Sequence, residues 1–198
     1  MQVDHRKFFI SYRNTFGKIR KTQTALNIDQ MLNNLTKYSH MYDANAYVEQ
    51  MAYIAATIHH ETGGRYSAFK EVRQGRTDTK YRRMIRRLQD RYWYSGYYGR
   101  GPVQLTWKRN YKWASEITGV DLVKNPDLLL TDLGLGFEVT IKGMMTGAFT
   151  GKSLPRYVNY QKVDYTNARR VVNGKDRAAL IASYAYKFEK IFRESVNK

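Results

Sequence analysis

Cysteine is absent from these 198 residues, so neither a disulfide nor a thiolate-bound zinc can brace the fold, and the chain can fold in a reducing cytoplasm. Proline occurs only at 102, 126 and 155, and no Gly/Ser/Pro-rich linker, low-complexity tract or internal repeat divides the chain. One domain over 1–198 is therefore expected, with the residues 1–40 part of it and no separate wall-binding domain. A stretch of roughly 18 consecutive apolar residues is needed to cross a bilayer, and none occurs. The opening MQVDHRKFFISYRNTFGK also lacks the continuous apolar segment of a secretory signal. Cytosolic synthesis is therefore expected, and action outside the membrane would need something else to let the chain out. Acidic residues are scarce: 17 Asp and Glu face 34 Lys and Arg, for a formal net charge of +17. Such a field gathers polyanions, whether nucleic acid, anionic lipid or lipopolysaccharide, or a carboxylate-bearing wall.

What is abundant is helical periodicity. Ile28, Met31, Leu32, Leu35 and Tyr38 form one apolar stripe, and Tyr47, Met51, Ile54, Ala55 and Ile58 a second. Asp43 is the expected N-cap of the second helix, and Gly63-Gly64 its terminator. A third helix is expected from near Asp78, with Tyr81, Ile85, Leu88 and Tyr92 inward and Arg82, Arg83, Arg86 and Arg87 elsewhere on the turn, most simply a solvated face and otherwise an attractor of polyanions. Further helices are expected over 106–119, 132–148 and from Asp176 onward, where Ile181, Tyr184, Phe188 and Ile191 recur. Short strands fit only around 93–105. The fold class is mainly α, with at most a few short strands and a glycine- and tyrosine-rich loop region in the middle.

Two segments carry candidate chemistry. In His59-His60-Glu61-Thr62-Gly63-Gly64 a carboxylate ends an apolar helix just before two glycines. Partial burial at a cleft wall would keep such a group protonated, as a general acid requires, although Glu61 could equally do no more than end the helix. The zincin spacing HExxH fails because Gly64 stands at the second histidine position, so no metal and no other cofactor is expected. His60 is expected to hydrogen-bond near Glu61, and His59 to pack or to lie at the surface. The second segment, Tyr97 to Trp107, reads YYGRGPVQLTW. It fits neither the P-loop nor the Rossmann glycine pattern. Rings beside Arg, Gln and Thr suit a sugar, although Trp107 and Trp113 would more often be core.

Together these segments resemble glycoside hydrolase family 19, in its phage and prophage lysozyme-like branch. That likeness implies a lysozyme-like α+β single domain with a central cleft, made in the bacterial host cytoplasm and released to the wall through a route such as a holin. The similarity runs in order through HHETGG (59–64), YYGRGPVQLTWKRNY (97–111), DLVKNPDLLL (121–130), GAFTGKSL (147–154) and NARRVVNGKDRA (167–178). The resemblance implies Glu61 as general acid and Glu71 as the second carboxylate, with Asp78 the rival for that place. It implies that Thr106 helps hold the nucleophilic water. It makes His60, Tyr98, Arg100, Gln104, Asn110 and Asn173 sugar-binding positions, and suggests Arg177 as an arginine linked to the acid. The implied reaction is inverting hydrolysis, which sets the carboxyl groups roughly 6.5–9.5 Å apart.

The family holds both chitinases and lysozymes, and charge separates them here. Chitin is neutral whereas peptidoglycan carries free carboxylates, so the expected function is an endolysin that cleaves peptidoglycan between N-acetylmuramic acid and N-acetylglucosamine. A chitinase is the runner-up. Expected partners are peptidoglycan strands, with electrostatic contact to anionic surface polymers, a monomeric state, no membrane insertion and no specific nucleic acid. The contrasting reading is a non-catalytic basic protein that binds wall or nucleic acid. Helix-turn-helix, zinc-finger and RNP signatures are missing from the sequence.

Overall fold

A helix that is apolar all round must be surrounded by protein, and the segment Tyr47–Glu61 (α3) is the one that meets this condition. In the computed structural model, which describes residues 2–75 and 79–197, every residue from Gln50 to Ile58 is buried. The buried polar members, Gln50 and Thr57, are satisfied: Gln50 Nε2 donates to Val158 O (2.7 Å) and its Oε1 accepts from Asp43 N (2.9 Å), while Thr57 Oγ1 donates to Tyr53 O (2.9 Å). Around α3 lie α1 (His5–Phe16), α2 (Thr22–Lys37) and α9 (Ala178–Ser195); the expected stripes of α2 and α9 supply Ile28, Met31, Leu32, Leu35, Ile181, Phe188 and Ile191 to one large core, and α1 adds Phe8 and Tyr12. Strands β1 (Gln2–Val3) and β4 (Val196–Asn197) pair antiparallel, with Val3 opposite Val196.

A second, smaller core gathers Leu105, Tyr111, Leu122, Leu129 and Val139. Its helices are α5 (Lys108–Thr118), α6 (Leu128–Thr131) and α7 (Leu133–Thr146). Asp132 caps α7 by accepting from Leu135 N (2.9 Å). Phe149 packs against both cores. Its ring occupies the space that a Cβ on Gly143 would need, so this glycine fixes how closely the two cores approach. A β-hairpin of β2 (Val158–Asn159) and β3 (Lys162–Val163), then α8 (Tyr165–Ala168), lead back to α9.

The mainly helical reading holds, and four local expectations need correction. Short strands do not form over 93–105, where only isolated bridges join Lys70 to Arg100 and Arg100 to Leu105. Asp43 does not cap α3. The chain makes an intervening turn, and its carboxylate accepts from Asn45 N (2.9 Å) and Tyr160 N (3.1 Å) instead. The third helix, α4 (Lys80–Asp90), is capped by Thr79 but faces the other way: Tyr81 and Leu88 are exposed, and Gln89 is its one buried residue among those described. Trp107 is exposed rather than core, whereas Trp113 is half-buried against Phe149. The glycine terminator of α3 forms as expected, with Gly63 at φ 57° and Gly64 at φ 72° and their N–H groups donating to His60 O and His59 O.

Candidate active site

Glu61 is the last residue of α3, where the unpaired carbonyls of a helix end disfavour a negative charge. A cation compensates. Arg169, in the 3₁₀ turn Arg169–Val171, donates Nη1–H to Glu61 Oε1 (2.6 Å) and Nε–H to Asp176 O (3.0 Å). The arginine is 3% exposed and the glutamate 22%, so the pair is buried on one side and open to solvent on the other. The expected arginine was Arg177. That residue is exposed, at φ 57° just before α9, and makes no bond to Glu61. Both arginines lie within the 167–178 segment, and only the turn that presents Arg169 to the end of α3 distinguishes them.

Of the two places open to it, His59 takes the packed one. Its Nδ1 is hydrogen-bonded to Tyr66 OH (2.7 Å), with the rings of Phe16 and Tyr184 each 4.8 Å away. Burial lowers its pKa to about 4, with His60 and Lys187 adding to the effect, so the ring is neutral at pH 7. His60 lies near Tyr184 (6.5 Å) and makes no hydrogen bond to Glu61 among the described residues.

After Gly64 the chain turns back in an extended segment that carries Glu71 to the 97–107 loop. Glu71 N donates to Gly99 O and Gly99 N to Glu71 Oε2, both at 2.8 Å. The other oxygen, Oε1, accepts from Gln89 Nε2 (2.9 Å) and Tyr92 OH (2.7 Å). Burial and the adjacent carboxylate push the Tyr92 phenol well up, so it remains a donor. Helix α4 is thus docked by its polar side, because its inward task is to hold a carboxylate rather than to fill a core. Gln89 and Tyr92 were not foreseen as site residues. Gln89 gave no periodic signal, and Tyr92 was read as one more apolar position. Asp78, the rival second carboxylate, lies outside the described residues.

The loop itself is built around Arg100. Its guanidinium is buried, pairs with Asp127, donates to Gly96 O (2.8 Å) and Tyr111 OH (3.1 Å), and stacks 3.9 Å from the Tyr98 ring. With its donors engaged inward it shapes the loop and does not face a ligand, a correction to its expected sugar-binding place. Tyr98 is half-buried between that guanidinium and the ring of Trp93 (4.6 Å). Gln104 donates Nε2–H to Phe69 O (2.7 Å) and Gly101 O (3.1 Å), while Thr106 Oγ1 donates to Gln104 O (2.9 Å) and Asn110 Nδ2 to Thr106 O (2.7 Å). Gln104 at φ 57° and Trp107 at φ 76° adopt left-handed backbone that L side chains resist. Such strain gathers where a surface is shaped for a ligand. Trp107, 40% exposed, meets Tyr92 edge to face at 5.0 Å and so joins the Glu71 cluster to this loop.

Between the two cores a hollow of about 200 Å³ is walled by Gln104, Thr106, Trp107 and Asn110 on one side and by Phe149 and Val172 on the other. It shares Asn110 and Phe149 with a hollow of about 600 Å³, and Val172 with one of about 320 Å³. Together they form a groove. Both carboxylates are tied to its walls: Glu71 through Gly99 and the loop, Glu61 through Arg169, whose carbonyl accepts from Val172 N (3.3 Å) and Asn173 N (3.0 Å). The structure thus brings Gln104, Thr106 and Asn110 together, with exposed Asn173 in the adjoining hollow, and leaves Arg177 off these walls.

The family described as "Chitinase class I" matches residues 30–161. The acidic 27 kDa endochitinase of Solanum lycopersicum is 38% identical over 98 residues, which are 50% of this chain and 36% of that protein. An inactive chitinase-like protein 1 of Hevea brasiliensis is 47% identical over 53 residues, 27% of this chain and 17% of that one. The chain therefore spans about a third or less of the length of these relatives. Among solved structures, chitinase C from Streptomyces griseus HUT6037 covers 98% of this chain, with 79% of its own length matched, at a TM-score of 0.64 and 20% identity. That likeness is one of fold.

Proposed function

Because the chain belongs to glycoside hydrolase family 19, we propose that it hydrolyses β-1,4 bonds in N-acetylglucosamine-containing glycans with inversion, and that chitin-type chains are its substrate. An inactive relative exists, so membership alone does not carry catalysis. The observation that carries the reading is the pair of differently held carboxylates, Glu61 on Arg169 and Glu71 on three donors, each tied through its partners to a segment that leads into the groove.

In this reading Glu61 protonates the glycosidic oxygen as the bond to the anomeric carbon breaks. It must carry that proton when glycan arrives, so its pair with Arg169 loosens in the substrate complex. Arg169 is a positioning residue. Glu71 takes the proton of a water that attacks the opposite face, and its three donors fix the direction of the receiving oxygen. Thr106 Oγ1 donates to Gln104 O and keeps lone pairs to accept from that water. Gln104 and Asn110 brace the loop, and exposed Trp107 offers a ring to a sugar face. General acid–base assistance of this kind contributes roughly 10²–10⁴-fold.

The named relatives support chitin over the peptidoglycan preference drawn from charge. One observation still favours peptidoglycan, and with it an endolysin's role: Arg109, Lys152, Arg170 and Lys175 line the adjoining hollows, where they would meet the carboxylates of wall peptides. Parallel digestion of colloidal chitin and purified peptidoglycan, with products identified by mass spectrometry and their anomers by NMR, tests both. Chitin oligomers released first as the α-anomer, and lost in Glu61→Gln, are expected. Release from peptidoglycan alone transfers the conclusion to the second reading, and no release from either overturns the proposal.

A further inference from the structure

Helix α4 has its amphipathic character turned outward. Its packed side is the polar one: Gln89 reaches Glu71, Val72 O and Gln74 N. The apolar side is left to solvent, with Tyr81 69%, Met84 51% and Leu88 44% exposed. Their spacing of three and four residues puts them on one stripe. Lys80, Arg83, Arg87 and Arg91 recur at the same spacing along its flank. Together these residues line a furrow of about 890 Å³, to which no other element among the described residues contributes. The helix holds a single acidic residue, Asp90, and that carboxylate is engaged by Arg73.

We propose that this face docks on the surface of an anionic phospholipid bilayer, a function separate from the groove and independent of the glycan reading. Chemistry selects the occupant. A polyanion such as nucleic acid or an acidic glycan would use the cations but has no use for Tyr81, Met84 and Leu88 in a row. A second copy of the chain would bring one arginine flank against another, which like charge opposes. An anionic bilayer answers both stripes at once, with phosphates for the guanidinium and ammonium groups and acyl chains for the apolar side chains. The 11 residues of α4 extend about 16 Å. That suits lying in the plane of the headgroups and is far short of spanning. No helix among the described residues is long and apolar enough to cross a membrane, so the attachment is peripheral.

The test is co-sedimentation of the full chain with vesicles of phosphatidylcholine alone or with one quarter phosphatidylglycerol. Binding is expected only to the anionic vesicles, weakening as salt rises from about 0.05 to about 0.5 M. Each cation near such a surface contributes about 1 kcal/mol, so Arg83→Gln with Arg87→Gln should lower the partition coefficient about 30-fold. Met84→Ser with Leu88→Ser should lower it about tenfold or more while leaving the charge intact. Leu88→Trp, which keeps an apolar side chain, should show a blue-shifted emission only with anionic vesicles, a readout that does not depend on the serine variant folding. Equal binding to both vesicle types, full binding by a folded serine variant, or no emission shift in the bound tryptophan variant each overturns the proposal. So does a lipid-free dimer that the substitutions abolish, since the face would then belong to a second copy.

Discussion

Replacing Arg169 with methionine removes one half of the Glu61 pair and keeps most of the side-chain volume. Arg169 is 3% exposed and Glu61 22%, and breaking a buried pair by deleting one partner costs about 3–5 kcal/mol. Water can reach Glu61 through its open side, so Arg169→Met is expected near the lower end, about 3 kcal/mol. Glu61→Gln keeps an acceptor for the Nη1–H but leaves the guanidinium charge opposed only by Asp176 O, and about 2 kcal/mol is expected. In the double variant neither charge is stranded. Its cost should therefore stay near 3 kcal/mol rather than the sum of about 5, a coupling of about 2 kcal/mol measurable from urea unfolding. Activity gives an independent arm: Arg169→Met should lower kcat for a soluble chitin oligomer with KM little changed, because Arg169 positions Glu61 and does not touch sugar. Arg169→Lys restores charge but not the second bond to Asp176 O, and should recover part of that loss. A coupling below about 0.5 kcal/mol would mean that the two groups do not act as a pair in solution, and the positioning role would fall with it.

Three further outcomes are expected. Gly99→Ala would place a Cβ 2.6 Å from Gln104 Oε1 and 3.2 Å from Glu71 Oε2, displacing both, so kcat should drop about tenfold or more with the thermal midpoint lowered by only a few degrees; an unchanged kcat would show that Glu71's seat is not critical. The neutral, buried His59 binds its proton only near pH 4, whereas in the unfolded chain it does so near 6.5, so between these values the unfolded state holds more protons and stability rises with pH. On lowering the pH from 6.5 to 4, up to about 3 kcal/mol should be lost, and His59→Gln should flatten that part of a midpoint-versus-pH curve; the same slope in the variant would assign it elsewhere. Trp107→Ala should raise KM for oligomeric substrate about fivefold, the equivalent of about 1 kcal/mol of ring contact, and a KM unaltered by the change would remove Trp107 from the sugar path.

Much of this was legible because burial writes itself into periodicity. The stripes of α2, α3 and α9 pointed inward as read, and the glycines after Glu61 ended α3 where expected, since both signals are local. The ordered motifs likewise marked the loop at 97–107 before any coordinates. The same logic failed at α4, because a period reports that a face is distinct but not what lies opposite it. There the space opposite is a carboxylate, so the polar side turned in. Arg100 failed for a related reason: an arginine beside aromatic rings fits a ligand or a loop equally well, and Asp127, which claims it, is 27 residues away.

The sequence by itself determined the helical class, the family, the apolar positions of the main core and the two glutamates worth asking about, because each rests on residue type and near-neighbour spacing. Only the tertiary structure decided which arginine meets Glu61, 108 residues distant, which donors hold Glu71, and which face of α4 is left in water. Those depend on how separate segments approach one another. Such an approach is fixed by the packing of whole elements, as where Phe149 rests on Gly143 between the two cores, and no local pattern in the chain records it.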